Sequence, residues 1–253
     1  MYDKVKAKAV RTRTITLKQY STGQALHSQD LSQTEEKYGA PVITVQRAHL
    51  RQVIYDAAIA RGVEFRFGIA VKVEDLDLEG GVLKIHDSEP FSADLFIGAD
   101  GANSVLREVI TNQKAKLVPH GFIVHRIVIE ESLIQNSPNL RHLVDNPNII
   151  VWLGPKSQAV TYSLDGVFNI AFTRPWSGDP FYGPQVADLD AFRKGLDAEG
   201  WDPVLRELIG LGTACHRWMF TEPQIDDEET PWVHKNSRSC IVGDAAHQTL
   251  PYL

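Results

Sequence analysis

The stretch ADLFIGADGANSVLREVI, residues 93–110, carries the reading of the fold. A short apolar run ends in Gly-Ala-Asp-Gly, and the residues after it take up helical spacing, so the segment reads as strand, tight turn and helix. A second stretch, CIVGDAAHQTLPYL at residues 240–253, places Gly243 and Asp244 at the end of another apolar run. In α/β proteins ligands lie at the carboxyl ends of strands. Asp100 and Asp244 are therefore expected at two strand tips of one sheet, facing one crevice. Glycine beside each acid, Gly101 and Gly243, lets backbone approach a ligand closely, and an ionised carboxylate accepts hydrogen bonds from sugar hydroxyls. A plainer reading stands beside this one, in which Gly243 makes a turn and Asp244 caps the next helix.

The chain has 253 residues, enough to bury the core of one large domain or two modest ones. A formal net charge of -6 argues against a general binder of nucleic acid or anionic membrane, since both require clustered positive charge. Cys215 and Cys240 form no C-x-x-C pair and no disulfide framework, which points to a reducing compartment, and both read as core or strand residues. No apolar run approaches the length of a bilayer, and MYDKVKAKAVRTRTITL at residues 1–17 contains no signal-peptide core, so cytoplasm is expected. Val5, Ala7, Ala9, Ile15 and Leu17 alternate with Lys, Arg and Thr there, as in a half-exposed strand.

PVITV (41–45) is a short apolar run, and the spacing of Leu50, Val53, Ile54 and Ala57 predicts a helix over 47–60, closed by Gly62. VEFRF, AVKVEDL and GVLKIHD follow as short strands with glycine punctuation. From about residue 120, GFIVHRIVIE, NIIVWLG, SQAVTYSL and GVFNIAFTR read as an antiparallel meander. Asp165-Gly166 marks a hairpin with positive φ expected at both turn positions. Leu189, Phe192 and Leu196 share one helix face, and Asp202 and Pro203 form the N-cap and first position of the next helix. CHRWMF and RSCIVG read as strands, with DDEE (226–229) a solvated loop between them.

Several chemistries are excluded by pattern. The nine histidines form no H-E-x-x-H and pair with no Cys at ligand spacing, so no metal site is expected. Neither a phosphate-binding G-x-x-x-x-G-K-[ST] nor a G-x-S-x-G is present. GLGTAC (210–215) follows a helix and leads into a strand, the reverse of a dinucleotide cradle, so Gly210 and Gly212 read as helix termination. Arg47 remains as a candidate, because a cation in the first turn of a helix is unfavourable with the macrodipole. A surface arginine is the alternative there.

Taken together, three segments resemble one family. DLFIGADGANSVLR (94–107) resembles the Asp-Gly motif of the single-component FAD-dependent aromatic hydroxylases, the family of para-hydroxybenzoate and salicylate hydroxylases. IVGDAAHQTLPY resembles its Gly-Asp motif, and VQRAHL resembles its arginine-bearing segment. The resemblance runs in order from about residue 40 to the end and is nearest to the salicylate-hydroxylase-like branch.

What the resemblance implies is an α/β fold: an incomplete Rossmann-like FAD-binding domain with an inserted, mainly antiparallel β-sheet substrate domain. The implied divisions are 1–115 and 226–253 for the FAD-binding part and 116–225 for the substrate domain. Asp244 would hydrogen-bond the ribityl chain of FAD, with Gly243 and Ala245 allowing approach, and Arg47 would lie against the ribityl or phosphate region. Asp100, beside the cofactor-binding Gly101, would help organise the pyrophosphate site and NAD(P)H reactivity, with Arg107 supporting the turn. Pro251 would open the loop beside the isoalloxazine, with Tyr252 near the flavin and residues 120–175 roofing a pocket for a small aromatic substrate. Enzymes of this family reduce FAD with NAD(P)H, form a flavin C4a-hydroperoxide with O2 and hydroxylate a phenolic ring, the protein supplying orientation and exclusion of water. His216 stands where some members carry an active-site histidine, and an imidazole titrates in the useful range. A histidine satisfied on a sheet is the alternative. The family's G-x-G-x-x-G unit and its segment after the Gly-Asp motif are not in the sequence. The expectation is therefore a truncated monooxygenase with uncovered apolar faces, poor stability, and weak or absent FAD binding.

Overall fold

A computed structural model describes residues 1–85, 89–114, 116–224, 231–236 and 238–250. The chain divides into two compact units, Met1–Glu64 with Gly121–Met219 and Phe65–His120 with Phe220–Leu253.

The chain opens with α1 (Tyr2–Lys6), β1 (Ala9–Arg11), β2 (Thr14–Gln19), β3 (Ala25–Asp30), α2 (Thr34–Tyr38), β4 (Ile43–Val45) and α3 (Arg47–Ile59). The half-exposed strand expected near the start begins only at residue 9. Residues 2–6 are helical instead, with Asp3 in the first turn and Lys4 and Lys6 in the last, the order the helix dipole favours. Lys6 and Arg11 both pair with Glu35, each at 2.9 Å. Helix α3 ends as its sequence predicts: the Gly62 N–H donates to the Ile59 carbonyl at 2.9 Å and the Val63 N–H to Ala58 at 3.1 Å, the paired bonds of a Schellman stop.

The second unit begins with β5 (Leu76–Asp77), β6 (Val82–Leu83), β7 (Phe91–Ser92), β8 (Phe96–Gly98) and α4 (Val105–Thr111). VEFRF, read above as a strand, is not one here. Phe65 and Phe67 stack at 5.9 Å, an i, i+2 contact that an extended backbone makes without a ladder. Of AVKVEDL only Leu76 enters a sheet, pairing together with the Asp77 that follows it, after a 3-10 turn at Val73–Asp75.

The chain then returns to the first unit with β9 (Lys116–Glu130), α5 (Glu131–Gln135), α6 (His142–Asp145), β10 (Ile149–Gly154), β11 (Ser157–Leu164), β12 (Val167–Pro175), β13 (Gln185–Val186), α7 (Leu189–Ala198), α8 (Pro203–Gly210) and β14 (His216–Gln224). Last come β15 (Ser239–Ile241) and α9 (Asp244–His247). Eight strands form one sheet in the order β13-β14-β9-β12-β11-β10-β2-β3. The meander is therefore β10-β11-β12, and β9 pairs with β12 rather than with its sequence neighbour β10, α5 and α6 carrying the chain between them. Most pairs are antiparallel, but β2 runs parallel to β10, with Ile15 opposite Ile149 and Gln19 opposite Leu153. That pairing gathers residues 1–64 with 121–219, whereas the sequence reading grouped residues 1–115 together.

One face of this sheet carries the core. Trp152, Phe168, Ile170 and Phe172 pack with Phe192 and Leu196 of α7 and Leu205, Leu208 and Ile209 of α8. Asp202 caps α8 through the Val204 N–H at 3.0 Å, and its other oxygen accepts the Trp152 indole N–H at 2.7 Å, although the residue is only 3% exposed. At the Asp165-Gly166 hairpin only Gly166 has positive φ, +76°, so the turn needs glycine at one position and not two. Both cysteines are free, Cys215 buried and Cys240 half-buried. No helix among the described residues is long and apolar enough to cross a membrane.

Candidate functional site

In the second unit β8 and β15 pair in parallel, Phe96 with Ser239 and Gly98 with Ile241, and the Val242 N–H extends the ladder to the Gly98 carbonyl at 2.9 Å. Parallel pairing puts both carboxyl ends on the same side. The Asp100 and Asp244 segments thus leave neighbouring strand tips.

The two acids have different surroundings. Asp100 is committed to α4: its carboxylate accepts the Ser104 hydroxyl at 2.5 Å, the Val105 N–H at 2.7 Å and the Leu106 N–H at 3.3 Å. Ser104 in turn accepts the Arg107 N–H at 3.0 Å, so two side chains share the first turn of the helix. Asp244 is the first residue of α9, exposed, and its carboxylate accepts no hydrogen bond from the described residues. Gly101 (φ +82°) and Gly243 (φ +59°, ψ -141°) hold backbone that an L residue rarely adopts. A Cβ on either would meet nothing within 4 Å, so the requirement is conformational and the space beside each tip is open.

Arg107 joins the two tips. Only 2% exposed, it donates from Nη1 to the Ala245 carbonyl at 3.0 Å and from Nη2 to the Ala102 carbonyl. Burial pulls its pKa down and the nearby Asp100 charge opposes that pull. The Ala245 side chain, fully buried against Leu78, Leu106 and Ile241, faces the core of this unit. What Ala245 contributes is an anchored carbonyl rather than room for a ligand.

The other candidates lie in the first unit. Arg47 is exposed at the start of α3, with no acidic residue in the first turn. The Gln46 side chain before it donates to the Asp165 carbonyl at 2.7 Å, tying the helix entry to the hairpin. His216 begins β14 and lines a cavity of about 410 Å³ together with Arg126, Val128, Pro184, Ala214 and Trp218. These side chains occupy the sheet face opposite the one that packs on α7 and α8. On that packed face His125 is buried and stacks on Phe192 at 4.6 Å, and its pKa is lowered to about 4 by burial, then by Arg174 and Arg217. Burial lifts the Cys215 thiol to about 11 against the opposing Arg217. At neutral pH the His125 imidazole is therefore uncharged and the Cys215 thiol protonated. Pro251, Tyr252 and the DDEE run lie outside the described residues. Among the described residues no three His, Cys, Asp or Glu side chains gather to hold a metal ion.

Ser104, Arg126, Asn169 and Trp218 were not singled out from sequence. The signal for two of them was period-two spacing: Arg126 alternates with His125 and Ile127 and shares a face with Val124 and Val128, and Trp218 stands two residues beyond His216 on the same face.

The tips bring together a carboxylate that accepts no hydrogen bond from the described residues, two glycine backbones beside open space, and a buried cation joining the two segments. At the sequence level the chain is 30% identical to 3-amino-4-hydroxybenzoate 2-monooxygenase of Streptomyces cremeus, over 99% of this chain and 59% of that protein. It is 25% identical to 3-hydroxybenzoate 6-hydroxylase of Klebsiella oxytoca, over 97% and 59%. Among solved structures, CtdE in complex with FAD and substrate superposes with a TM-score of 0.82 at 17% identity, covering 99% of this chain and 61% of that one. A salicylate hydroxylase substrate complex does so with a TM-score of 0.75 at 18% identity, covering 100% and 62%. At those identities the superpositions establish a shared α/β fold. The chain spans 59% of the length of these two curated relatives. The FAD binding domain family matches residues 1–253, the whole chain, and this protein belongs to that family.

Proposed function

We propose that the chain is the FAD-holding and substrate-facing part of a flavin-dependent aromatic monooxygenase that uses NAD(P)H and O2 on a small phenolic acid. The observation that carries this reading is the pair of glycine-flanked strand tips locked by Arg107, in a chain matched end to end by the FAD-binding family. The names of the relatives, hydroxylases of hydroxybenzoates, support the substrate class.

In this reading Asp244 accepts hydrogen bonds from the ribityl hydroxyls, and the positive-φ backbone of Gly243 brings the main chain close. Asp100, Gly101 and Arg107 hold the tip in shape. When bound, the flavin supplies reduction by NAD(P)H and transfer of one oxygen atom from O2. The cavity in the first unit orients the aromatic ring and keeps water from it. His216, on the cavity wall, accepts the phenol proton on an imidazole nitrogen and so favours the electron-rich phenolate.

Titration of the purified chain with FAD, followed by flavin fluorescence, is expected to show weak but saturable binding, weakened roughly tenfold further in Asp244→Ala by loss of charge-assisted hydrogen bonds. A chain that retains no flavin counts against this reading and favours a non-catalytic remnant. His216→Ala is expected to leave FAD affinity unchanged while lowering product formed per NAD(P)H consumed and raising peroxide release. Unchanged coupling would remove His216 from the reaction.

A further inference from the structure

Arg126 is a cation in β9, among Ile123, Val124, Ile127, Val128 and Ile129. Its neighbours Ile127 and His125 point into the core, while Arg126 lies half-buried on the opposite face and lines the cavity with Val128, Trp218 and His216. An arginine there is desolvated along its stem and needs partners for its five donors. One is present: Nε donates to Asn169 Oδ1 at 2.7 Å. Asn169 is 1% exposed on β12, one pair along from the Ala171 that faces Arg126. No acidic side chain among the described residues pairs with this guanidinium.

Asn169 therefore fixes the plane of the guanidinium through Nε and leaves both terminal nitrogens as an unneutralised fork. A fork of that kind matches a carboxylate in two parallel hydrogen bonds. The rest of the wall, Val128, Pro184, Ala214 and the Trp218 ring, suits an apolar flat body, and about 410 Å³ accommodates a single substituted ring. We infer that Arg126 is the residue that recognises the carboxylate of the aromatic acid, and that Asn169 is its positioning residue. This deepens the proposed function and rests on the cavity being the substrate pocket.

The test is calorimetric titration of the purified chain with benzoate and with benzamide, which share a ring and differ in charge. Wild type is expected to bind benzoate roughly tenfold or more tightly than benzamide. Arg126→Gln is expected to bind the two about equally, with benzamide affinity little changed, and Arg126→Lys to keep part of the preference as a point charge. Asn169→Asp sets a carboxylate against the same guanidinium while keeping side-chain shape. It is expected to abolish the preference without removing Arg126, which guards against a glutamine variant that fails to fold. A wild type without the preference, a wild type that binds neither probe, or an Arg126→Gln variant that keeps the preference would overturn the inference. Neither probe is oxidised and no NAD(P)H is present. Preference absent in a chain that holds flavin therefore counts against Arg126 alone, and preference kept in a chain without flavin counts against the redox reading alone.

Discussion

His125 and Arg126 are consecutive residues of β9 with opposite surroundings, because a strand sends alternate side chains to opposite faces. His125 is sealed against Phe192 with Arg174 and Arg217 nearby, and Glu199 pairs with Arg174 at the edge of that group. A pKa of about 4 in the folded chain lies below the ordinary histidine value, so between those values the unfolded chain binds more protons than the folded one. Stability is then full above about pH 6.5 and falls as pH drops toward 4, by roughly 3 kcal/mol in all. His125→Phe, which keeps a ring against Phe192, is expected to flatten that slope. Urea midpoints at pH 7 and pH 4.5 for the two proteins measure it, and parallel losses would show that other groups govern acid sensitivity. At this scale the sequence was partly legible. The glycine-acid tips could be read because unusual backbone demands glycine. The division of labour between Asp100 and Asp244 could not, since both look alike until the donors around each carboxylate are known.

The elements that read well are those whose signals are local. Helix α8 announces itself by Asp202 and Pro203, and α3 by its spacing and Gly62, because caps act over four residues or fewer. Asp202 also does something no local pattern reveals, accepting the Trp152 indole N–H from β10 at 2.7 Å. Asp202→Ala is expected to destabilise the first unit by roughly 2–4 kcal/mol, combining a lost cap with a buried unsatisfied donor. Asp202→Asn should recover most of the cap and less of the indole contact. Chemical denaturation of the three proteins gives the ranking, and a wild-type-like alanine variant would show that the cap and indole contacts carry little net stability. Short strands read poorly for the converse reason. The ladder β5-β6-β7 has two-residue strands whose existence depends on partners, and VEFRF has strand composition without entering one.

At the scale of the whole molecule the α/β class and FAD-binding family were legible from three ordered motifs, and the grouping of the chain was not. Ile15 faces Ile149 across a parallel pair, and Thr44 donates from its hydroxyl to the Ser163 carbonyl at 2.6 Å. Partners this remote leave no periodicity in the sequence, so residues 1–64 were grouped with the Asp-Gly motif by proximity along the chain. The Arg107 bond to Ala245 is of the same kind, and it bears on how the protein comes to be made. On the ribosome residues 65–120 emerge with one strand of the β8-β15 pair and part of a core. They must wait for more than a hundred further residues to be translated before Ile241 and Ala245 arrive. Through that interval the nascent segment carries its apolar side chains unshielded, a state in which a chaperone can hold it.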